Sequence, residues 1–245
     1  MQTLSMQLDP GETVYCQTHA MGWMTNNIAM NTNTGGGFFA GIARTFTGGS
    51  FFITDYTAES SGAKISFAPR FPWSILAFNL KPGESLVCRK ETFLVAEKSV
   101  TLEMAWQRRL GAGFFGGEGF ILQRVTGPGT VFLDLSGEVV CEELAAGQTL
   151  LVHAGHVGIQ SPTITFDIRM VKGFRNILFG GEGLFLAHLT GPGKIWLQSM
   201  PVMNLAESIA HYLPHSPSER AEDTTAGGIA GGIVGNVLDG FLKRR

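Results

Sequence analysis

The sequence predicts an all-β protein made of three similar units in one compact body, followed by a short helical segment. Three observations support this prediction. Charged residues make up only 16% of the 245 residues and 33 residues are glycine, a composition that favours tight turns over long helices. Apolar and polar residues alternate over many short segments, as they do in half-buried strands. The chain also matches itself at a shift of 64 residues.

The internal match runs without a gap from Leu80–Ser136 to Leu144–Met200, and it pairs "LKPGESLVC" with "LAAGQTLLV". A more diverged copy begins at Leu8, where "LDPGETVYC" matches "LKPGESLVC". Because about sixty residues bury little core alone, we expect the copies to pack together. We therefore assign three β units and a C-terminal helix plus glycine-rich tail to residues 1–76, 77–140, 141–200 and 201–245.

Two segments recur within these units. "SVTLEMAW" and "TITFDIRM" alternate like strands. "GFILQRVTGPGTVFLDL" and "GLFLAHLTGPGKIWLQS" are interpreted as β-hairpins with a Thr-Gly-Pro-Gly turn, because proline fixes φ and the flanking glycines can adopt positive φ. The recurring turn residues, which we interpret as structural, are Gly116, Gly117, Glu118, Gly119, Gly127, Pro128 and Gly129, then Gly180, Gly181, Glu182, Gly183, Gly191, Pro192 and Gly193.

A literal G-x-G-x-x-G at Gly111, Gly113 and Gly116 suggests a nucleotide site. The triplet is absent from the copy 64 residues later, and a strand pattern follows it instead of the helix that a dinucleotide site needs. We therefore predict no cofactor. Glu118 and Glu182 could form a catalytic carboxylate pair, but repeat-related residues should face different neighbours, so local capping is the favoured interpretation.

His153 and His156 in "HAGH" are the candidate metal ligands. Residues three apart on a strand point to opposite faces, so only a turn at the intervening Ala-Gly would bring the two imidazoles together. A structural or solvent-exposed pair is the favoured interpretation. No catalytic residue is predicted, since there is no G-x-S-x-G, and Cys16, Cys88 and Cys141 lie in apolar strand-like segments where thiols are usually buried and unreactive.

The formal net charge of −2 gives no general electrostatic reason to bind nucleic acid, which is therefore an unlikely partner. The three cysteines are too widely spaced for a disulfide framework and fit a reducing compartment. The first residues resemble neither a signal peptide nor a transit peptide, and no apolar run reaches 18 residues. We expect a cytoplasmic protein.

The segment after Met200 has a different pattern. "PVMNLAESIAHYL" has Leu205, Ile209, Tyr212 and Leu213 at helical spacing, which predicts a helix packed on the β body. A polar linker leads to "AGGIAGGIVGNVLDGFLKRR", whose stacked glycines permit close approach of a helix or an apolar surface. We expect a segment for homo-oligomer, protein or membrane association, with a disordered tail as the alternative. The association residues are Gly227, Gly231, Gly235, Ile229, Ile233 and Val237.

Taken in order, "LDPGETV", "LKPGESL", the two "FGGEG…TGPG" segments and "NLA…YLP" resemble the bacterial family related to the mitochondrial biogenesis factor named for altered inheritance of mitochondria. The resemblance implies three similar β units, with a topology similar to the tryptophan-responsive RNA-binding attenuation protein and to a shortened double-stranded β-helix. It supplies no catalytic residue. Because mitochondrial relatives are associated with inner-membrane organisation, it implies a scaffold or interaction protein, in the cytoplasm or peripheral to the inner membrane. The alternatives are a binding module for RNA or a small ligand and, third, a metal-dependent cupin-like enzyme.

Overall fold

The computed structural model describes residues 2–17, 20–33, 53–69, 73–108, 119–170, 185–210 and 212. Within these residues the chain forms antiparallel β-sheets and a short C-terminal helix, so the predicted all-β fold is confirmed. Strands dominate because apolar residues alternate over short segments that end at glycine or proline turns.

The strands fall into three consecutive sets of six. The first set is β1 (Leu4–Leu8), β2 (Thr13–Gln17), β3 (Met21–Met24), β4 (Ile28–Asn33), β5 (Ile53–Ala58) and β6 (Ala63–Phe67). The second set is β7 (Trp73–Leu80), β8 (Ser85–Arg89), β9 (Phe93–Glu97), β10 (Thr101–Arg108), β11 (Phe120–Thr126) and β12 (Gly129–Ser136). The third set is β13 (Val139–Leu144), β14 (Thr149–His153), β15 (Val157–Gln160), β16 (Thr165–Met170), β17 (Phe185–Thr190) and β18 (Gly193–Gln198). Helix α1 (Val202–Ala210) follows.

Each set of strands contributes to two different sheets. Sheet I has the order β1-β6-β3, sheet II β4-β5-β2-β9-β12-β7, sheet III β10-β11-β8-β15-β18-β13, and sheet IV β14-β17-β16. Sheets II and III therefore join neighbouring sets through the pairs β2–β9 and β8–β15. The assignment of these sets to homologous units, with the boundaries given above, remains a prediction.

Apolar clusters fill the space between consecutive sheets. The cluster between sheets I and II includes Phe67 and Cys16. The cluster between sheets II and III includes Leu133 and Cys88, and the cluster between sheets III and IV includes Ile195 and Val152. Strand β2 shows why the inner sheets lie between two clusters: its central residues Val14, Tyr15 and Cys16 are all buried, although alternate side chains point to opposite faces. A run of apolar residues without polar alternation is the sequence pattern of such a strand.

The predicted hairpins around Thr-Gly-Pro-Gly are wrong. Strand β11 pairs with β10 and β8 in sheet III, whereas β12 pairs with β7 and β9 in sheet II. The turn therefore carries the chain from one sheet to the facing sheet, and the second turn does the same between β17 in sheet IV and β18 in sheet III. A turn signal between two strands does not determine whether they share hydrogen bonds or lie in facing layers.

The structural role of the described turn glycines has a steric basis. Gly129 and Gly193, which follow the prolines, have positive φ values of +127° and +146°, as predicted. Gly127 and Gly191, which precede the prolines, do not have positive φ. A Cβ atom at Gly127 would lie 2.6 Å from the carbonyl oxygen of Leu80, so this turn residue is a glycine because the backbones approach closely. The Gly127–Pro128 and Gly191–Pro192 bonds are cis.

Some of the predicted turn residues lie in the described part of the chain, whereas the association segment lies outside it. Gly119 is described and has a φ of +84°. The following lie outside the described residues: Gly116, Gly117, Glu118, Gly180, Gly181, Glu182, Gly183, Gly227, Gly231, Gly235, Ile229, Ile233 and Val237.

The predicted C-terminal helix is present as α1, but its expected apolar stripe is only partly covered. Leu205 is half-buried, whereas Ile209 and the following Tyr212 are exposed by 50% and 86%. The helix starts after Pro201, which is buried. Of the helices in the described ranges, none has the length and apolar content needed to cross a membrane.

Candidate functional site

Two strand junctions join the three sets of strands, and they use the same register. In the β2–β9 junction Cys16 lies opposite Val95 and Tyr15 lies opposite Ala96. In the β8–β15 junction Cys88 lies opposite Ile159 and Val87 lies opposite Gln160. The contact between adjacent sets is thus one antiparallel strand pairing used twice.

The third strand of each set carries the same irregularity. A β-bulge interrupts the pairing of β3 with β6, of β9 with β12 and of β15 with β18, and the skipped residues are Gly22, Leu94 and Gly158. Bulges bend a strand and increase its twist. Strand β3 therefore has the shape of the two strands that form junctions, although among the described strands it pairs with β6 alone.

The two ends of the sheet stack expose apolar side chains that their counterparts bury. Trp23 directly follows the bulge residue of β3 and is 58% exposed, whereas Val95 and Ile159 at the same strand position are 0% exposed. Leu151 is the middle residue of β14 and is 54% exposed, whereas the middle residues of β2 and β8, Tyr15 and Val87, are buried. Both exposed side chains belong to strands at the edges of three-stranded sheets.

The rest of each end surface is more polar. On sheet I the side chains of Ser5, Gln7 and Lys64 are exposed, and Ser5 Oγ lies 2.9 Å from Ser66 Oγ. On sheet IV, Arg169 is exposed and forms a 2.8 Å ion pair with Asp167. A sheet face that is in contact with water is expected to be polar. The exposed tryptophan and leucine therefore stand out against polar surroundings.

His153 and His156 lie together because a 3-10 turn at Ala154–His156 separates them, instead of the extended strand that would have kept them apart. Their ring centroids are 5.8 Å apart. His156 Nδ1 donates a 2.7 Å hydrogen bond to the carbonyl oxygen of Gln198. Burial, together with His156, lowers the pKa of His153. The two imidazoles meet on one turn, but within the described part of the chain no cluster of three or more His, Cys, Asp or Glu side chains is placed to share a metal ion.

The turn that holds the two histidines also receives polar contacts that sequence reasoning missed. The carbonyl oxygen of Gly155 accepts hydrogen bonds from Arg89 Nη1 at 3.2 Å and from Gln198 Nε2 at 2.8 Å. The Arg89 guanidinium also lies 5.0 Å from the centre of the Phe120 ring. Arg89 is the last residue of β8, and His153 is the last residue of β14. The alignment of these two positions at the shift of 64 residues was the sequence signal that could have identified Arg89. These contacts tie the turn between β14 and β15 to the ends of β8 and β18.

The three thiols do not share one environment. Cys16 and Cys88 are buried, and burial raises the pKa of each to about 12, which keeps them protonated and poor nucleophiles. Cys141 is exposed on β13, so the expectation that this thiol is buried is wrong. Strand β13 lies at the edge of sheet III, and its four consecutive residues 140–143 are all exposed.

Comparison with known proteins gives one consistent result. A family model described as "Mitochondrial biogenesis AIM24" matches residues 1–200. An uncharacterized protein of Streptococcus pyogenes serotype M6 is 31% identical over 222 residues, which cover 87% of each chain. The crystal structure of a Streptococcus pyogenes protein aligns with a TM-score of 0.69 and 26% identity, covering 86% of this chain and 94% of that one.

Proposed function

The chain belongs to the mitochondrial biogenesis AIM24 family, and from this premise we propose that it is a non-catalytic scaffold or interaction protein that acts as a homo-oligomer. The observation that supports this proposal is the contrast between the buried junction residues of the inner sheets and their exposed counterparts, Trp23 and Leu151, on the two end sheets. Exposed apolar residues on open strand edges are typical of surfaces that bind other chains.

The C-terminal segment supplies the second part of the proposal. Residues 227–245 combine small and apolar residues with a basic end at Lys243, Arg244 and Arg245. An amphipathic segment with terminal cations suits the surface of an anionic bilayer. We propose that this segment holds the protein at the periphery of a membrane, with the β body remaining in the aqueous phase.

The test compares the full chain with a variant that lacks residues 227–245. We expect light scattering to give a mass of several chains for both, because the β body carries the exposed edges. We expect the full chain alone to co-sediment with vesicles that contain anionic phospholipid. Circular dichroism of the shortened chain should match that of the full chain if the β body is intact.

A full chain that is monomeric and does not sediment with vesicles would contradict the proposal. Neutral phosphatidylcholine vesicles serve as the matched lipid control, and we expect weaker binding to them because the attraction of lysine and arginine is absent. Equal sedimentation of the full and shortened chains with anionic vesicles would remove the tail from the proposal.

A further inference from the structure

We propose that copies of this protein join head to tail by antiparallel pairing of β3 of one copy with β14 of the next. The inference rests on the proposed function, because it specifies the contact that forms the homo-oligomer. The two end sheets would merge into one six-stranded sheet with the order β16-β17-β14-β3-β6-β1. Sheets II and III already have this composition, since each combines three strands from one set with three from the next.

The inner junctions determine which residues would meet. At each inner junction, the fourth residue of the second strand of one set pairs with the residue that follows the bulge in the third strand of the next set. These pairs are Cys16 with Val95 and Cys88 with Ile159. At the ends these positions are Val152 and Trp23. Continuing the register places Leu151 opposite Met24, and Leu150 opposite Thr25, of the neighbouring copy.

The same register buries the side chains that each copy exposes. Inside the chain, Val95 packs in the cluster that contains its partner Cys16. Trp23 of the second copy would accordingly pack beside Val152, which belongs to the cluster between sheets III and IV. Leu151 occupies the position of Tyr15, which packs against the sheet of the following set. Leu151 would therefore be covered by the body of the second copy.

The edge strands lack the charged residues and prolines that often prevent such pairing. The bulge of β3, which can also protect an edge, is shared by β9 and β15, and both of those strands pair at the inner junctions. Strand β3 reads "MGWM" and β14 reads "TLLVH", with no Asp, Glu, Lys, Arg or Pro in either. At the other edge of sheet IV, β16 carries Asp167 and Arg169. Only one edge of that sheet is therefore protected by charge.

The pairing is heterologous, because the two strands that meet differ and each copy presents one of each. Such contacts produce a closed ring if the rotation between copies closes, and a filament if it does not. Both assemblies grow through the same contact, so a single substitution at either edge should disrupt both. A symmetric dimer through β3 alone would instead be insensitive to β14.

The test uses cysteines placed in the expected register of the full chain, in a Cys141→Ser background because that thiol is exposed. Thr25→Cys and Leu150→Cys retain both Trp23 and Leu151. Directly opposite residues in antiparallel strands have Cα atoms about 5 Å apart, which is within reach of a disulfide.

Under mild oxidation we expect the double variant to form a ladder of covalent multimers. A mixture of the two single variants should stop at two chains, and neither alone should cross-link. Thr25→Cys with His153→Cys is the control, because these positions would lie roughly 10 Å apart along the strand.

Two surface variants complete the experiment. Trp23→Lys and Leu151→Lys alter side chains that are exposed in a single copy, so we expect unchanged circular dichroism and a reduction of the light-scattering mass to one chain. A multimer that keeps its mass in both variants, with no ladder, would overturn the inference and leave the proposed homo-oligomer standing. A wild-type chain that is monomeric and also fails to bind vesicles would overturn the proposed function together with this contact.

Discussion

The inner junctions and the open ends of the sheet stack use the same strand positions but differ in what covers them. Val95 and Ile159 are fully buried after their bulges, whereas Trp23 is exposed after its own. The residues paired with the first two, Phe132 and Trp196, are aromatic, but Trp23 is paired with Ser66. Sheet I therefore has a polar residue next to its apolar, bulged edge strand, where the inner sheets have an aromatic residue. The difference shows that the residue on the neighbouring strand can be polar while the edge strand itself stays apolar.

The largest expected difference comes from placing a charge at one position in both regions. Ile159→Asp puts a carboxylate into the β8–β15 junction, where no solvent reaches it, and should reduce the free energy of unfolding by about 3–5 kcal/mol. Trp23→Asp should change that free energy by less than about 1 kcal/mol in a single copy, because the side chain is already exposed. Urea unfolding at low protein concentration measures both.

The matched isosteric variants Ile159→Asn and Trp23→Asn separate charge from shape. We expect Ile159→Asn to recover part of the lost stability and Trp23→Asn to behave like Trp23→Asp. Equal destabilisation by the two aspartates would show that β3 is covered in a single copy, which would contradict the distinction between junction and end.

A smaller difference is expected at the bulges. A Cβ atom at Gly158 would collide with the side chain of Leu135 and lie 3.1 Å from the carbonyl oxygen of Trp196, so Gly158→Ala should destabilise the fold by about 1–3 kcal/mol. At Gly22 the nearest atom is 3.5 Å away, and Gly22→Ala should be neutral or slightly stabilising. Thermal unfolding of both variants tests this pair. Similar losses would show that the two bulges are equally crowded.

The sequence predicted strands well where alternation decides burial. In "SVTLEMAW" the alternating apolar residues Val100 and Leu102 are buried, as are Ile164 and Ile168 in "TITFDIRM". The third member of each alternating set, Met104 or Phe166, is half-buried. Local alternation is sufficient in these cases, because each segment has one face toward a cluster and one toward solvent.

Pairing between strands could not be predicted from such local patterns. The Thr-Gly-Pro-Gly turns connect facing sheets, and the same residues would also suit a hairpin. The exposure of Trp23 and Leu151 depends on which strands pair with β3 and β14, and no local pattern reports this. Among the described strands, β3 pairs only with β6 and β14 only with β17. The burial of Asp134, a charged residue inside the apolar run "TVFLDLS", was not predicted, although a charge in such a run is itself unusual.

Asp134 and Gln198 occupy equivalent positions on β12 and β18 but differ in their hydrogen bonds. Gln198 Oε1 accepts from the amide nitrogen and hydroxyl of Ser136 at 3.0 and 3.1 Å, and its Nε2 donates to Gly155. Asp134 is 3% exposed, and in the described part of the chain its Oδ1 has no hydrogen-bond partner. Burial raises the pKa of Asp134 from 3.8 to about 8.

This raised pKa gives a defined pH dependence. Below pH 4 the carboxyl is protonated in both the folded and unfolded states, so it does not oppose folding. Between pH 4 and 8 the unfolded chain releases the proton while the folded chain retains it, and stability therefore falls as pH rises, reaching its lowest contribution above pH 8. Asp134→Asn should remove this trend. The free energy of unfolding of the variant minus that of the wild type should therefore be larger at alkaline pH than at mildly acidic pH, by at least about 1 kcal/mol. Urea titrations across that range measure the difference, with the exposed Asp9→Asn as control. A constant offset between wild type and Asp134→Asn at every pH would mean that the buried carboxyl is already ionised in the folded chain.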